Sequence, residues 1–343
     1  MANRFMLSPL TNQQSHDDGT LSDEEHRWLT MRALGGFGLT MTCAASVQDI
    51  GRGFTGQLGC HDDAHIPGLT RLACDISMAG SVGIVQLHHA GNRSPKELIG
   101  TRPVCPSDDP ETGARELTTA EVDGVIRDFV AAAVRCDQAG FDGVELHGAH
   151  GYLLCQFLSS ELNVRTDHYG GSLENRARPL LDIIRGIRET CRPDFHVGVR
   201  LSPERFGMKI AEIIQVYAWL VESELVDMID MSLWDYAKEA SDEGYKGQRL
   251  VDIFGSLDRG ATRLAVAGKI HSGRDVVEVL RSGVDIAAIG RAAITNHDFP
   301  RCVADNPDVS MRPLPVSVET LRNEGLSDVF IGYMRNWKGF VAD

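Results

Sequence analysis

The chain is expected to fold as an α/β protein, a (β/α)8 TIM barrel in one domain with a C-terminal extension. Three observations carry this: eight short apolar windows, longer helical stretches alternating with them, and polar residues gathered just after the windows. The strand windows are Arg4–Leu7, Leu39–Cys43, Val82–Leu87, Gly143–His147, Val197–Leu201, Met228–Met231, Arg263–Val266 and Ile286–Ile289. Eight is the number that closes a barrel.

The stretches between them carry helix punctuation. Thr118-Thr-Ala-Glu121 reads as a capping box, in which hydroxyl and carboxylate each satisfy an orphan backbone N–H. It opens an apolar run through Val122, Ile126, Val130, Ala133 and Val134 that stops at Gly140. Ser172 precedes Leu173–Glu189, with Leu180, Leu181, Ile184 and Ile187 as its stripe. Ser272 caps Gly273–Arg281, and Gly283 ends it. The competing open doubly wound sheet wants a Gly-rich turn after its first strand, whereas Leu7 is followed by Ser-Pro-Leu-Thr. The barrel is therefore favoured, with residues 1–310 as its body and 311–343 as an extension at a possible subunit contact.

Composition narrows the function. The 343 residues hold 34 Lys+Arg against 48 Asp+Glu, a formal charge of −14, which argues against a nucleic-acid partner. No apolar window reaches the ~20 residues that cross a bilayer. With 43% hydrophobic and 24% charged residues, the chain reads as an ordinary globular protein. A chain of this size should expose roughly 14,000 Å² when folded. The eight cysteines are scattered and never in C-x-x-C, so no iron–sulfur or zinc ribbon is expected. Free thiols and an N-terminus without a signal peptide point to the reducing cytoplasm.

In a barrel, chemistry sits where strands end. His147-Gly-Ala-His150-Gly-Tyr152 follows the fourth window. A metal would need a third ligand that is not at hand, so none is assigned. As two donors to an oxyanion or carbonyl, with Tyr152 as proton source, the set is complete. The plainer alternative is a set of polar rim residues stabilising a loop. Gly268-Lys269-Ile270 and Gly290-Arg291 follow the seventh and eighth windows, where barrels commonly hold phosphate. Gln86 and Arg200 also end strands, and an amide beside a fixed positive charge suits a flat, electron-accepting ring such as flavin.

The segment His147-Gly-Ala-His-Gly-Tyr-Leu-Leu-Cys-Gln-Phe-Leu through Gly170-Gly-Ser-Leu-Glu-Asn-Arg176 resembles the signature of the Old Yellow Enzyme family. Asn3-Arg4, Ser8-Pro9-Leu10-Thr11, Arg32-Ala-Leu-Gly-Gly36, Gln86-Leu-His-His-Ala-Gly91, Arg200-Leu-Ser-Pro203 and Gly290-Arg291 share that resemblance, which runs from about residue 3 to about 305. It implies a TIM barrel that binds FMN and reduces activated C=C bonds with NADPH or NADH as hydride donor. Carried over, Pro9, Leu10 and Thr11 lie along the ring, Thr11 donating to its C4 carbonyl. Ala44 packs at the ring edge, Gln86 bonds the pyrimidine side and Arg200 sits at the N1/C2 side. Gly268, Lys269, Gly290 and Arg291 hold the phosphate. His147 and His150 grip the acceptor's oxygen, and Tyr152 protonates the α-carbon. The implied acceptors are small enones, enals, imides or nitroalkenes. Other flavin chemistry at the same site, amine demethylation or dehydrogenation, and a flavin-binding sensor without turnover are the alternatives.

Three departures stand out. Cluster cysteines of the larger dienoyl-CoA reductase relatives are lacking. Lys269 stands where many members have a second glycine. One branch has Cys in place of Thr11 yet shares the ending Tyr333-Met-Arg335-Asn-Trp337. In that branch a C-terminal arginine reaches the neighbouring subunit's active site. The resemblance thus implies a homodimer or higher homo-oligomer with Arg335 as a substrate-binding residue beside the partner's site.

Overall fold

A computed structural model describes residues 1–342; Asp343, the last residue of the expected extension, lies outside the described residues. Eight parallel strands close a barrel: β1 (Phe5–Leu7), β2 (Leu39–Ser46), β3 (Val82–His88), β4 (Gly143–Gly148), β5 (His196–Leu201), β6 (Met228–Ser232), β7 (Arg263–Ala267) and β8 (Ile286–Ile289). Each pairs with its sequence neighbours, and β1 closes on β8 with Phe5 opposite Ala287. All eight expected windows are strands. The exposed surface is 13,669 Å², close to the value expected from size.

Outer helices follow the strands: α1 (Asp23–Leu34), α2 (Ile66–Met78), α3 (Thr119–Gln138), α4 (Leu173–Thr190), α5 (Ile210–Glu222), α6 (Leu250–Gly255), α7 (Gly273–Arg281) and α8 (Phe299–Asp305). The capping box on α3 is formed as expected: Glu121 N–H donates to the Thr118 hydroxyl and Thr118 N–H to the Glu121 carboxylate. The buried stripe of α3 differs from the expected one. It runs Val122, Val125, Phe129, Ala132, Ala133 and Cys136, leaving Ile126 and Val130 half-buried. The reason is that α3 packs on α4 as well as on the barrel. Gly186 of α4 leaves room for Val130, whose Cγ2 would lie 2.7 Å from a Cβ there.

Inside the barrel, Met6, Leu39, Met41, Ile84, Met228, Ala265, Ala267, Ile286 and Ala288 form a second, smaller core. Gln86, Glu145, Arg200 and Asp230 are also buried on the strands. The Gln86 Nε2 donates to Glu145 Oε1 at 2.8 Å, and Arg200 Nε lies 3.0 Å from Asp230 Oδ2. Burial raises the Glu145 carboxyl above its ordinary range, the nearby Asp230 charge adding to this and Arg200 opposing it. Asp230 is raised by the same desolvation.

Ladder pairing between β2 and β3 breaks between Met41 and Ala44. There the Gln86 N–H donates to the Thr42 side-chain oxygen at 3.2 Å. This irregularity sets Ala44 directly opposite Gln86 at the barrel mouth. Beyond α8, the extension forms helices Val318–Asn323 and Asp328–Met334 and docks on α1, Phe330 stacking edge-on to Trp28 with centroids 5.4 Å apart. No described helix is long and apolar enough to cross a membrane.

Candidate active site

The C-terminal ends of the strands surround one cavity of about 580 Å³, within the range of small-molecule sites. Every residue expected to hold flavin or acceptor lines it except Arg335: Pro9, Leu10, Thr11, Ala44, Gln86, His147, His150, Tyr152, Arg200, Gly268, Lys269, Gly290 and Arg291. Arg335 caps the C-terminus of the last helix, exposed, and does not line the cavity of its own chain.

The turn after β4 builds the reactive cluster. His150 and Gly151 both take left-handed conformations, φ +62° and +73°, which bring His150 back beside His147. The two rings lie 5.0 Å apart, and His150 Nδ1 is 3.3 Å from His147 Nε2. A side chain at Gly151 would press on Phe206, whose Cδ1 lies 2.8 Å from the missing Cβ, so glycine is needed for both conformation and space. The Tyr152 ring stands 5.1 Å from His147 and 4.4 Å from His88. Burial is the first cause that holds His147 and His150 well below the ordinary imidazole pKa, with neighbouring imidazoles and arginines adding to it. His88 is pushed down to about 3 for the same reason. All three are therefore neutral hydrogen-bonding groups near pH 7.

The Thr11 loop is anchored from below. Glu25 of α1 is fully buried and accepts from Asn12 Nδ2 at 3.1 Å, from Cys43 Sγ at 2.9 Å and from the Ser15 hydroxyl. Tyr333 of the extension shares a side-chain hydrogen bond with Thr11. Arg32, from the Arg32–Gly36 motif, is buried over Trp28 and donates to the Ala293 carbonyl at 3.0 and 3.1 Å. It thereby ties α1 to the segment after β8 that carries Gly290 and Arg291.

The cavity fits FMN. At Gly290 a Cβ would meet only Leu10 Cδ2 at 3.7 Å, so the missing side chain leaves open space above this turn. Lys269 takes φ +49° and its Nζ pairs with Asp235 at 2.9 Å, so only its main-chain N–H is available toward an anion at this turn. The departure from glycine at this position is thus accommodated. Ser8 Oγ and His88 Nε2 are buried cavity-lining atoms with no hydrogen-bond partner among the described residues. Each such group costs about 1–3 kcal/mol when left unsatisfied, and the polar edge of a flavin ring would satisfy donors of this kind.

Several lining residues were not assigned from sequence. His88 and Ser232 stand at strand ends, and Arg93 lies just beyond the Gln86–Gly91 motif. Arg205 and Phe206 follow the Arg200–Pro203 motif, and Trp234 follows β6. Position just past a strand end was the available signal for these. Tyr333, Met334 and Trp337, which the extension folds onto the mouth, carry the signal of the family-like ending, but that signal pointed to the neighbour's site and not to their own chain's.

A barrel with this mouth defines the class of FMN-dependent oxidoreductases. The chain matches the profile of the NADH:flavin oxidoreductase / NADH oxidase family over residues 1–308 and belongs to that family, which is FMN-dependent and uses NAD(P)H as electron donor. Relatives include a probable NADH-dependent flavin oxidoreductase, YqiG, of Bacillus subtilis, 36% identical over 87% of this chain and 82% of that protein. An NADPH dehydrogenase of Bacillus cytotoxicus is 33% identical over 89% of each chain. Among solved structures, the Old Yellow Enzyme homologue of Zymomonas mobilis superposes with a TM-score of 0.79 at 26% identity over 95% of both chains. A 2-naphthoyl-CoA reductase complexed with 2-naphthoyl-CoA gives 0.80 at 27% identity over 88% of this chain, which spans 50% of that longer protein.

Proposed function

We propose that this flavin oxidoreductase is an ene-reductase acting on α,β-unsaturated ketones, aldehydes, imides or nitroalkenes. The observation that carries the reading is the cluster of neutral His147 and His150 beside Tyr152 on the open face of the cavity. FMN, when bound, would supply the hydride chemistry between NAD(P)H and the β-carbon of the acceptor. Gln86 and Arg200 would hold the ring's pyrimidine side, Thr11 its C4 carbonyl, and Pro9, Leu10 and Ala44 its faces and edge. The turns Gly268-Lys269 and Gly290-Arg291 would hold its phosphate. His147 and His150 polarise the acceptor's carbonyl or nitro oxygen by hydrogen bonding, and Tyr152 delivers a proton to the α-carbon.

The extension, residues 311–343, serves on this reading as a subunit contact in a homodimer or larger homo-oligomer, sending Arg335 toward the neighbour's mouth. Eight free cysteines fit a reducing cytoplasm. The test separates the two half-reactions by anaerobic stopped flow. Tyr152→Phe should leave flavin reduction by NAD(P)H intact and slow enone reduction about 10²–10³-fold. Equal slowing of both halves removes the proton-donor role. A purified protein that neither carries nor takes up FMN removes the whole reading.

A further inference from the structure

The chain carries a net charge of −14, yet among the described residues no aspartate or glutamate lines the cavity. Its charged lining is cationic throughout. Arg200 and Lys269 are matched by Asp230 and Asp235, and Arg291 stands at the phosphate turn. That leaves Arg93 and Arg205 at the outer mouth, neither with a carboxylate partner among the described residues.

Both are held where an acceptor must pass. Arg93 donates to the His150 carbonyl at 2.7 Å and lies 4.7 Å from the Tyr152 ring centroid. Its charge helps hold His88, His147 and His150 neutral, which places it within electrostatic reach of all three. His88, whose Nε2 is buried without a partner among the described residues, packs edge-on against Tyr152 with centroids 4.4 Å apart. Arg205 stacks 4.4 Å from the Trp234 centroid, and Trp234 packs 6.3 Å from His150. Arg205, Phe206 and Trp234 all take left-handed conformations, φ +72°, +54° and +63°. Each costs of order 1 kcal/mol in a non-glycine residue, and such strain gathers where a site needs a fixed geometry. Here it holds a guanidinium over a half-exposed tryptophan at the rim.

We infer that Arg93 and Arg205 form an anion clamp flanking the oxygen-binding histidines, so that the molecule received there carries a carboxylate or phosphate beyond its reacting bond. This rests on the ene-reductase reading and adds the charge class of its substrate. Two sources share the chemistry: a carboxylate on the acceptor, or a phosphate of the nicotinamide dinucleotide. A guanidinium serves either through paired N–H donors. In an otherwise acidic protein, a cationic mouth also concentrates anions near the site.

The test uses the FMN-loaded protein, a matched pair of acceptors, 4-oxopent-2-enoate and its methyl ester, and the variants Arg93→Gln and Arg205→Gln. Each variant should lower the acid-to-ester ratio of kcat/KM about five- to tenfold. The same loss should appear in the ratio of dissociation constants for the saturated pair, 4-oxopentanoate and its methyl ester, read from the flavin absorbance without turnover. Added salt should erode the parent's preference for the acid. If the ratio holds and the KM for NAD(P)H rises about fivefold instead, the clamp takes the dinucleotide phosphate. If neither moves in either variant, the clamp is refuted. A parent that binds 4-oxopentanoate through these arginines but reduces no enone retains the clamp and overturns the ene-reductase reading.

Discussion

Hydrogen bonds around His147 and His150 form a directed relay. Ala149 N–H donates to His147 Nδ1 at 3.3 Å, which puts the His147 proton on Nε2, facing His150 Nδ1. His150 Nε2 then donates to the Ser232 hydroxyl at 2.7 Å, and Arg200 Nη2 reaches the same oxygen at 3.5 Å. For both imidazoles to donate to one acceptor oxygen, His150 must carry its proton on Nδ1, with Ser232 rotating to donate to Nε2. Ser232 is thus a positioning residue. Ser232→Ala should lower kcat/KM for the acceptor about tenfold while flavin reduction proceeds at the parent rate, and Ser232→Thr should restore much of the loss. The pH dependence follows from burial. With both imidazole pKa values below 6.5, neither ring titrates between pH 6.5 and 8. The acceptor half-reaction should show no histidine limb in that window; a limb near 6.5 would contradict the neutral assignment. The sign for stability is the opposite of a salt-bridged histidine: the unfolded chain binds protons that the folded one refuses, so these residues cost stability as pH falls below 6.5.

At the scale of elements, the capping box of α3 can be tested by itself. Glu121 accepts from Thr118 N–H at 2.8 Å and pairs with Arg115 at 2.7 Å. The Arg115 bond, first among the causes, and the Thr118 bonds lower its carboxyl to about 2. A depressed acid stabilises the fold above its unfolded pKa, near 4.5, and that contribution fades as pH falls toward 2. Its partial exposure keeps the effect small. Glu121→Ala should cost about 1 kcal/mol in chemical denaturation at pH 7, and the gap from the parent should close near pH 2. This box was legible because its chemistry lies within four consecutive residues. The break in β2 was not, because what it satisfies is the N–H of Gln86, forty-four residues away. Thr42→Val should orphan that N–H at a cost of about 1–3 kcal/mol and weaken FMN binding through the displaced Gln86; unchanged flavin affinity would remove Thr42 from the site's support. The offset stripe of α3 has the same origin. Periodicity gives one apolar face, whereas a helix wedged between a barrel and a neighbouring helix buries parts of two.

The whole molecule is closed by its tail. Phe330 is buried against Trp28, Glu324 accepts from His297 N–H, and Arg312 Nε donates to the Thr295 carbonyl at 2.8 Å, fastening the extension to the segment after β8. Phe330→Ala should cost about 3–5 kcal/mol by leaving a cavity there. A chain ended at Gly332 keeps Phe330 and loses Tyr333, Met334 and Trp337 from the mouth. It should bind acceptor at least tenfold more weakly while retaining FMN, since none of the removed side chains carries the phosphate turns. Arg335→Ala in the full chain isolates the contribution between subunits; parent acceptor affinity in that variant would assign the truncation's effect wholly to the wall in the same chain. The fold class, the eight strands, the best-capped helices and the strand-end residues that line the mouth were determined by the sequence itself. Alternation, caps and position after a strand are local properties, and a closed parallel barrel delivers every strand end to one face. Only tertiary structure decided which way the histidine protons run, that two rim arginines have no carboxylate partner among the described residues, and that the tail closes its own chain's cavity. Those depend on side chains brought together from distant parts of the chain, where burial and through-space charge set the chemistry and no spacing along the sequence records them.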